Sequence, residues 1–165
     1  MSAKAAGKSA SRSKPAASAP PPAASQVQPY LFFNGRCEEA IAFYGAALGA
    51  TVAGLFRFKD SPDQSMVKPG WGEKIMHAEL RIAGATVLAS DGGDEGLPRF
   101  DGFSLSLTVP DEATADRYFN GLAEGGKVNM PLMKTFFSPR FGMVDDRFGV
   151  SWMVYVAPPP ASGLT

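Results

Sequence analysis

The stretch Val27–Phe58, VQPYLFFNGRCEEAIAFYGAALGATVAGLFRF, decides the architecture, because much of its plan returns later in the chain. A short apolar run is followed by a helical stripe, a glycine stop and an alternating segment. The same order recurs as FSLSLTV (103–109), PDEATADRYFNGLAEGG (110–126) and KVNMPLMKTFF (127–137). The overlay sets Phe43 over Phe119, Gly49 over Gly125 and Val52 over Val128. Each copy ends in a hairpin, KIMHAELRIAGATVLASD (74–91) in the first and RFGMVDDRFGVSWMVYV (140–156) in the second. An internal repeat sets the fold before any single residue does. Two βαβββ units, each too small to bury a sheet face alone, are expected to pack on one another, with a ligand cleft between their sheets.

Hydrophobic periodicity supplies the elements. Val27–Phe33 and Thr51–Phe58 read as strands. Glu38–Leu48 carries Ala40, Ile41, Tyr44 and Leu48 at helical spacing, and Gly49 ends it. Lys74–Ile82 and Ala85–Ser90 flank the turn Ala83-Gly84. Phe103–Val109 is a strand, and Asp111 is placed to cap a helix running to about Glu124. Val128–Lys134, Phe141–Asp145 and Val150–Val156 complete the sheet, with a tight turn at 145–149. The fold class is α+β, with eight strands and two helices in curled mixed sheets around a cleft.

The domain spans 27–157, with repeats 27–91 and 102–157. Residues 1–26 hold Ala, Ser, Pro, Gly and four basic residues, with no acid and no large apolar side chain after Met1. Such a segment cannot offset its conformational entropy by burial and reads as a disordered tail. Its basic, Ser-rich composition is that of a transit peptide, but the apolar periodicity of an amphipathic presequence is missing. Residues 158–165 form a short second tail.

Lys+Arg number 16 and Asp+Glu 16, so nothing in the charge balance points to nucleic acid or an anionic membrane. No apolar run is long enough to span a bilayer. The single cysteine, Cys37, excludes an intramolecular disulfide and a thiolate metal cluster within one chain. It sits at a helix start, where a thiol pKa can fall, though a small packed residue is the simpler reading. The cytoplasm is the expected location.

The doubled βαβββ plan, with PYLFFNGRCEEAIAFYGAALGA and FGMVDDRFGVSWMVYV, resembles the vicinal oxygen chelate superfamily of glyoxalases, bleomycin-resistance proteins and extradiol dioxygenases. The resemblance covers roughly 27–157 and is greatest to the PhnB-like branch, whose members often carry the label 3-demethylubiquinone-9 3-methyltransferase. It implies a homodimer, with sites near the subunit junction. In catalytic members of the superfamily, four strands each give one His or Glu to a divalent metal. Here those positions fall at Pro29, at His77 or Glu79, near Ser104, and at Met153. A catalytic site needs about three protein ligands, so no metal cofactor is expected. A divalent ion held by His77 and Glu79 alone is the alternative. No GxGxxG follows a strand, so methyl transfer is not expected either.

The site candidates follow from residue type and strand phase. His77, the lone histidine, and Glu79 are two apart on a strand and share a face. If that face lines the cleft, they are the candidate acid/base pair, His77 acting as a base or hydrogen-bonding a ligand with Glu79 setting its tautomer; a partly solvated polar pair on the sheet's exposed side is the plain alternative. Tyr30, Phe136 and Trp152 are expected as an aromatic wall for a flat ligand, with core packing as the plain alternative. Ser104 is a polar contact and Arg140 an anion contact. Asp91-Gly92-Gly93-Asp94 lacks the rest of a calcium loop. Three functions fit: a metal-free small-molecule binder, a glyoxalase-like enzyme with an altered site, or a structural dimer whose cleft is plugged by Phe32, Met76, Met130 and Met153.

Overall fold

The computed structural model describes residues 25–92 and 96–158. The two tails lie almost wholly outside these, as do Gly93 and Asp94 of the rejected calcium loop. In chain order the elements are β1 (Tyr30–Phe32), α1 (Cys37–Leu48), β2 (Thr51–Arg57), β3 (Ile75–Ile82), β4 (Ala85–Ser90), β5 (Leu105–Val109), α2 (Glu112–Ala123), β6 (Lys127–Met133), β7 (Phe141–Asp145) and β8 (Ser151–Val156). Short 3-10 turns at Phe58–Asp60 and Gln64–Met66 interrupt the loop after β2.

The repeat is exact in topology. The first sheet runs β1-β4-β3-β2 and the second β5-β8-β7-β6. In each, the first strand lies parallel to the last and the remaining pairs are antiparallel. Both helices are 12 residues long. Gly49 and Gly125 lie just past their helices at φ 68° and 73°, the left-handed region that favours glycine.

β4 and β7 keep the bounds read in sequence, and the other elements shift by one to three residues at an end. The largest change is β1, which starts at Tyr30 rather than Val27. Pro29 still accepts from the Leu88 N–H at 2.9 Å, but proline has no N–H to return, so the ladder ends there. The Asp111 cap is present, accepting from Thr114 N at 2.7 Å. Helix α1 has no cap from its own neighbours. Buried Asp91, at the end of β4, accepts instead from Cys37 N at 2.7 Å and from Ile75 N at 2.8 Å.

The helices meet at the centre of the molecule. A Cβ on Gly121 would lie 3.0 Å from the Ala47 backbone, so small residues on both sides set the α1–α2 approach. Around this contact the repeats share one core. Phe148 meets Phe33 and Phe43 edge-on at centroid distances of 5.5 and 5.6 Å, and Tyr44 lies 5.6 Å from Trp152. Asp146, only 3% exposed, joins the halves. It accepts from Tyr44 Oη at 2.7 Å, Trp152 Nε1 at 2.9 Å, and the backbone of Phe148 and Val150. Burial raises its carboxyl above the ordinary range against the pull of these four donors.

Each sheet turns its inner face toward this helical centre. The other faces point outward and stay open in a single chain, with Phe32 45%, Phe56 55% and Met133 46% exposed. Within one chain the two sheets thus present separate open faces, not one shared cleft between them. No helix among the described residues is long and apolar enough to cross a membrane.

Candidate functional site

Strand alternation decides what the two open faces display. On the first sheet, Leu31, Ala78, Leu80, Val87 and Ala89 point into the core. Tyr30 pairs with Leu88, which pairs with Glu79, while Phe32 pairs with Ser90 and His77 with Phe56. Tyr30, Phe32, Phe56, His77 and Glu79 therefore lie on the open face. The Tyr30 and Phe32 rings stack at 4.9 Å. The Tyr30 hydroxyl lies 2.9 Å from His77 Nδ1, and the rings are 5.6 Å apart. Partial burial raises the Tyr30 phenol above its ordinary pKa, with the Ser90 hydroxyl opposing, so the group stays protonated at neutral pH.

Glu79 pairs with Arg81 rather than with His77. Its carboxylate receives Arg81 Nη2 at 2.7 Å, and Arg81 also bonds Thr86. Strand phase puts Glu79 on the right face, but the neighbouring guanidinium competes for it. Tyr30 is the partner of His77 instead.

On the second sheet the inner face holds Leu107, Val109, Val144, Trp152, Val154 and Val156. The open face holds Ser106, Met143, Met153, Phe141 and Tyr155, with Met130 and Met133 on the edge strand. The Ser104 and Ser151 hydroxyls are 2.8 Å apart. With Phe103, Asp145 and Met153 they line an open recess of about 470 Å3 at one end of this face.

The structure separates the other sequence candidates. Trp152 is 3% exposed and committed to Asp146, so it belongs to the core and cannot form a wall with Tyr30. Phe136, 102% exposed, projects from the loop after β6 and touches Phe137 edge-on at 5.1 Å. Arg140 binds Asp116 through Nε at 2.9 Å and Nη2 at 2.5 Å, so its fork is already engaged. Cys37 is fully buried, and its thiol is pushed up to about 12 by desolvation, then by Asp91 and Glu38. The helix start does not activate it, because burial and nearby carboxylates oppose the thiolate. Of the residues proposed to plug a cleft, Phe32 is 45% exposed, and Met130 and Met153 are half-buried.

Sequence reading missed Asp91 and Asp146. Both sit in turn-like contexts that resemble surface loops, and only the packed chain shows what they accept from. The four superfamily metal positions do not fit a hard divalent ion. Pro29 has no donor side chain, His77 Nδ1 faces Tyr30, Glu79 is paired with Arg81, Ser104 bonds Ser151, and Met153 offers a soft thioether.

A family model described as 3-demethylubiquinone-9 3-methyltransferase matches residues 25–155. The chain belongs to this family, the PhnB-like branch of the vicinal oxygen chelate superfamily. Protein YjdN of Escherichia coli is 36% identical over 138 residues, 79% of this chain and 94% of YjdN. Among solved structures, PA1353 from Pseudomonas aeruginosa is 44% identical with a TM-score of 0.72, covering 81% of this chain and 98% of its own. The PhnB protein from Bacillus cereus is 27% identical with a TM-score of 0.67, covering 81% of this chain and 100% of its own. All three relatives are matched along nearly their whole length.

Proposed function

We propose that this PhnB-like protein binds a small organic molecule between the open face of one sheet and the open face of the other, brought together in a homodimer. The observation that carries this reading is the pair of bare faces on either side of a helical centre. One carries the Tyr30–His77 pair on an aromatic stack, and the other a methionine and aromatic surface. Open apolar faces of this kind are normally covered. Two chains in a twofold arrangement cover both at once. With Tyr30 donating to Nδ1, His77 is the tautomer that keeps Nε2–H for a ligand. Neither a four-ligand divalent metal nor a methyl donor enters this proposal, and the location we infer is the cytoplasm.

The test uses the full chain and anilinonaphthalene sulfonate, a flat apolar anion. Light scattering on a sizing column is expected to show a dimer, with saturable probe fluorescence. A Met153→Glu variant, which puts a charge on the open face, is expected to lose the probe signal. A stable monomer with no saturable signal sinks the proposal.

The Tyr30–His77 contact favours a second reading, a glyoxalase-like enzyme that moves a proton through His77. It is separated from pure binding by turnover of a small carbonyl or thiol-adduct substrate that disappears in His77→Ala while probe binding persists.

A further inference from the structure

We propose that Met130, Met143 and Met153 form a Cu(I) site on the open face of the second sheet. The register sets them side by side, with Met130 opposite Met143 and Met143 opposite Met153, so the row crosses β6, β7 and β8 at one level. Met143 and Met153 alternate with Gly142, Val144, Trp152 and Val154, which are buried, and this fixes their side chains on the outward face. Met130 reaches the row through a register shift. Val128 faces Val144 but Met130 faces Met143, so two steps along β6 match one along β7. A bulge of this kind re-aims the residue that follows it. Pro131, next in the edge strand, sits where a missing N–H is tolerated.

Adjacent strands lie roughly 5 Å apart, so the outer two backbones of the row are about 10 Å apart. An unbranched thioether side chain has the freedom to close that gap onto one ion between them. The donor set is soft throughout, and thioethers select Cu(I) rather than zinc, nickel or manganese. Within one chain no imidazole or thiolate lies on this face: Cys37 is in the core and His77 is on the other sheet. The carboxylate on the same strand face, Asp145, is one level away and opposite Lys127. Methionine is not simply this sheet's apolar filler. The inner face of the same strands is built from valine, leucine and tryptophan, without one methionine. Of the chain's 7 methionines, 130, 133, 143 and 153 are all on β6–β8. The donor row lies within one chain, on the face where the proposed function seats its ligand.

The experiment is anaerobic titration of the full chain with Cu(I) against the chromogenic chelator bicinchoninate. Wild type is expected to withdraw one equivalent. Met143→Leu, which keeps the shape and apolar area, is expected to weaken binding at least about tenfold, and Met153→Leu likewise. Met76→Leu, on the first sheet, leaves it unchanged. Thioethers carry no proton to release, so affinity should be flat between about pH 5.5 and 8, whereas a histidine-dependent site weakens below about 6.5. In methyl-13C-methionine spectra three resonances should move together. The proposal is overturned if the chelator keeps all the copper, if both leucine variants bind as wild type does, or if affinity falls with acid. Circular dichroism of each variant separates lost binding from lost fold.

Discussion

The two repeats share one backbone plan and carry opposite surfaces. On the first sheet the open face is hydrogen-bonded, with Tyr30 on His77 and Arg81 between Glu79 and Thr86. On the second, the equivalent face is rich in sulfur, with Ser106 and Tyr155 beside the methionines and the Ser104–Ser151 pair at one end. The difference teaches that the repeat specifies shape, while the outward alternate residues of each strand are free to specify chemistry. A similar division holds inside. Asp91 works within the first repeat, tying the start of α1 to β3. Asp146 works between repeats, tying Tyr44 of one to Trp152 of the other.

The largest effect should come from breaking the bridge between repeats. Asp146→Ala leaves the Tyr44 hydroxyl, the Trp152 indole N–H and two backbone donors without their acceptor inside the core. We expect a loss of at least about 3 kcal/mol in urea unfolding, since each buried orphan costs about 1–3 kcal/mol. A loss near 1 kcal/mol would mean that the repeats hold together by apolar contact alone.

Removing the corresponding group inside one repeat should cost less. Asp91→Ala orphans Cys37 N and Ile75 N, and about 2 kcal/mol is expected, in the range of a lost cap plus one buried donor. Should Asp91→Ala prove the more damaging of the two, the contrast between local and bridging aspartates is reversed.

Cys37 gives a pH test of the same core. Its folded pKa, about 12, lies above the ordinary 9.0, so the thiolate is disfavoured only in the folded state. The stability this thiol contributes is full below pH 9 and declines as pH rises toward 12. Relative to Cys37→Ala, wild type should lose about 1.4 kcal/mol between pH 8 and 10, one pKa unit being worth about 1.36 kcal/mol. Parallel stability curves for the two proteins would place an ionised thiol in the folded core. Native protein should also fail to react with a thiol reagent at pH 8 until denaturant is added.

The smallest effect is on the polar open face. Tyr30→Phe removes one hydroxyl from a residue 39% exposed, so stability should stay within about 0.5 kcal/mol. The Nδ1 resonance of His77 should nonetheless shift, because its partner is gone. An unmoved resonance would show that the imidazole is not oriented by Tyr30 in solution.

Much of the fold was legible in the sequence because it rests on local rules. Apolar alternation, the Gly49 and Gly125 stops, the Asp111 cap and the Ala83-Gly84 turn each act within a few residues. The family was legible from two segments for a related reason, since both carry the repeat's turns and core positions together. The candidate site was legible only in part. Strand phase put His77 and Glu79 on one face and made Tyr30 available, but it could not show that Arg81 takes Glu79 and leaves His77 to Tyr30. Trp152 and Phe136 read alike as aromatic residues, yet one is sealed in the core and the other fully exposed.

The sequence by itself determined the two βαβββ units, their order and which residues alternate along each strand, because periodicity and turn chemistry are written in neighbouring residues. Only the tertiary structure decided that the helices meet in the middle and the sheet faces look outward. It alone placed Asp146 across both repeats and aligned Met130, Met143 and Met153 in one row. Those outcomes depend on strand register and on packing between residues far apart in the chain. A one-residue slip of register exchanges the inner and outer faces, so long-range packing selects among arrangements that local pattern leaves equivalent.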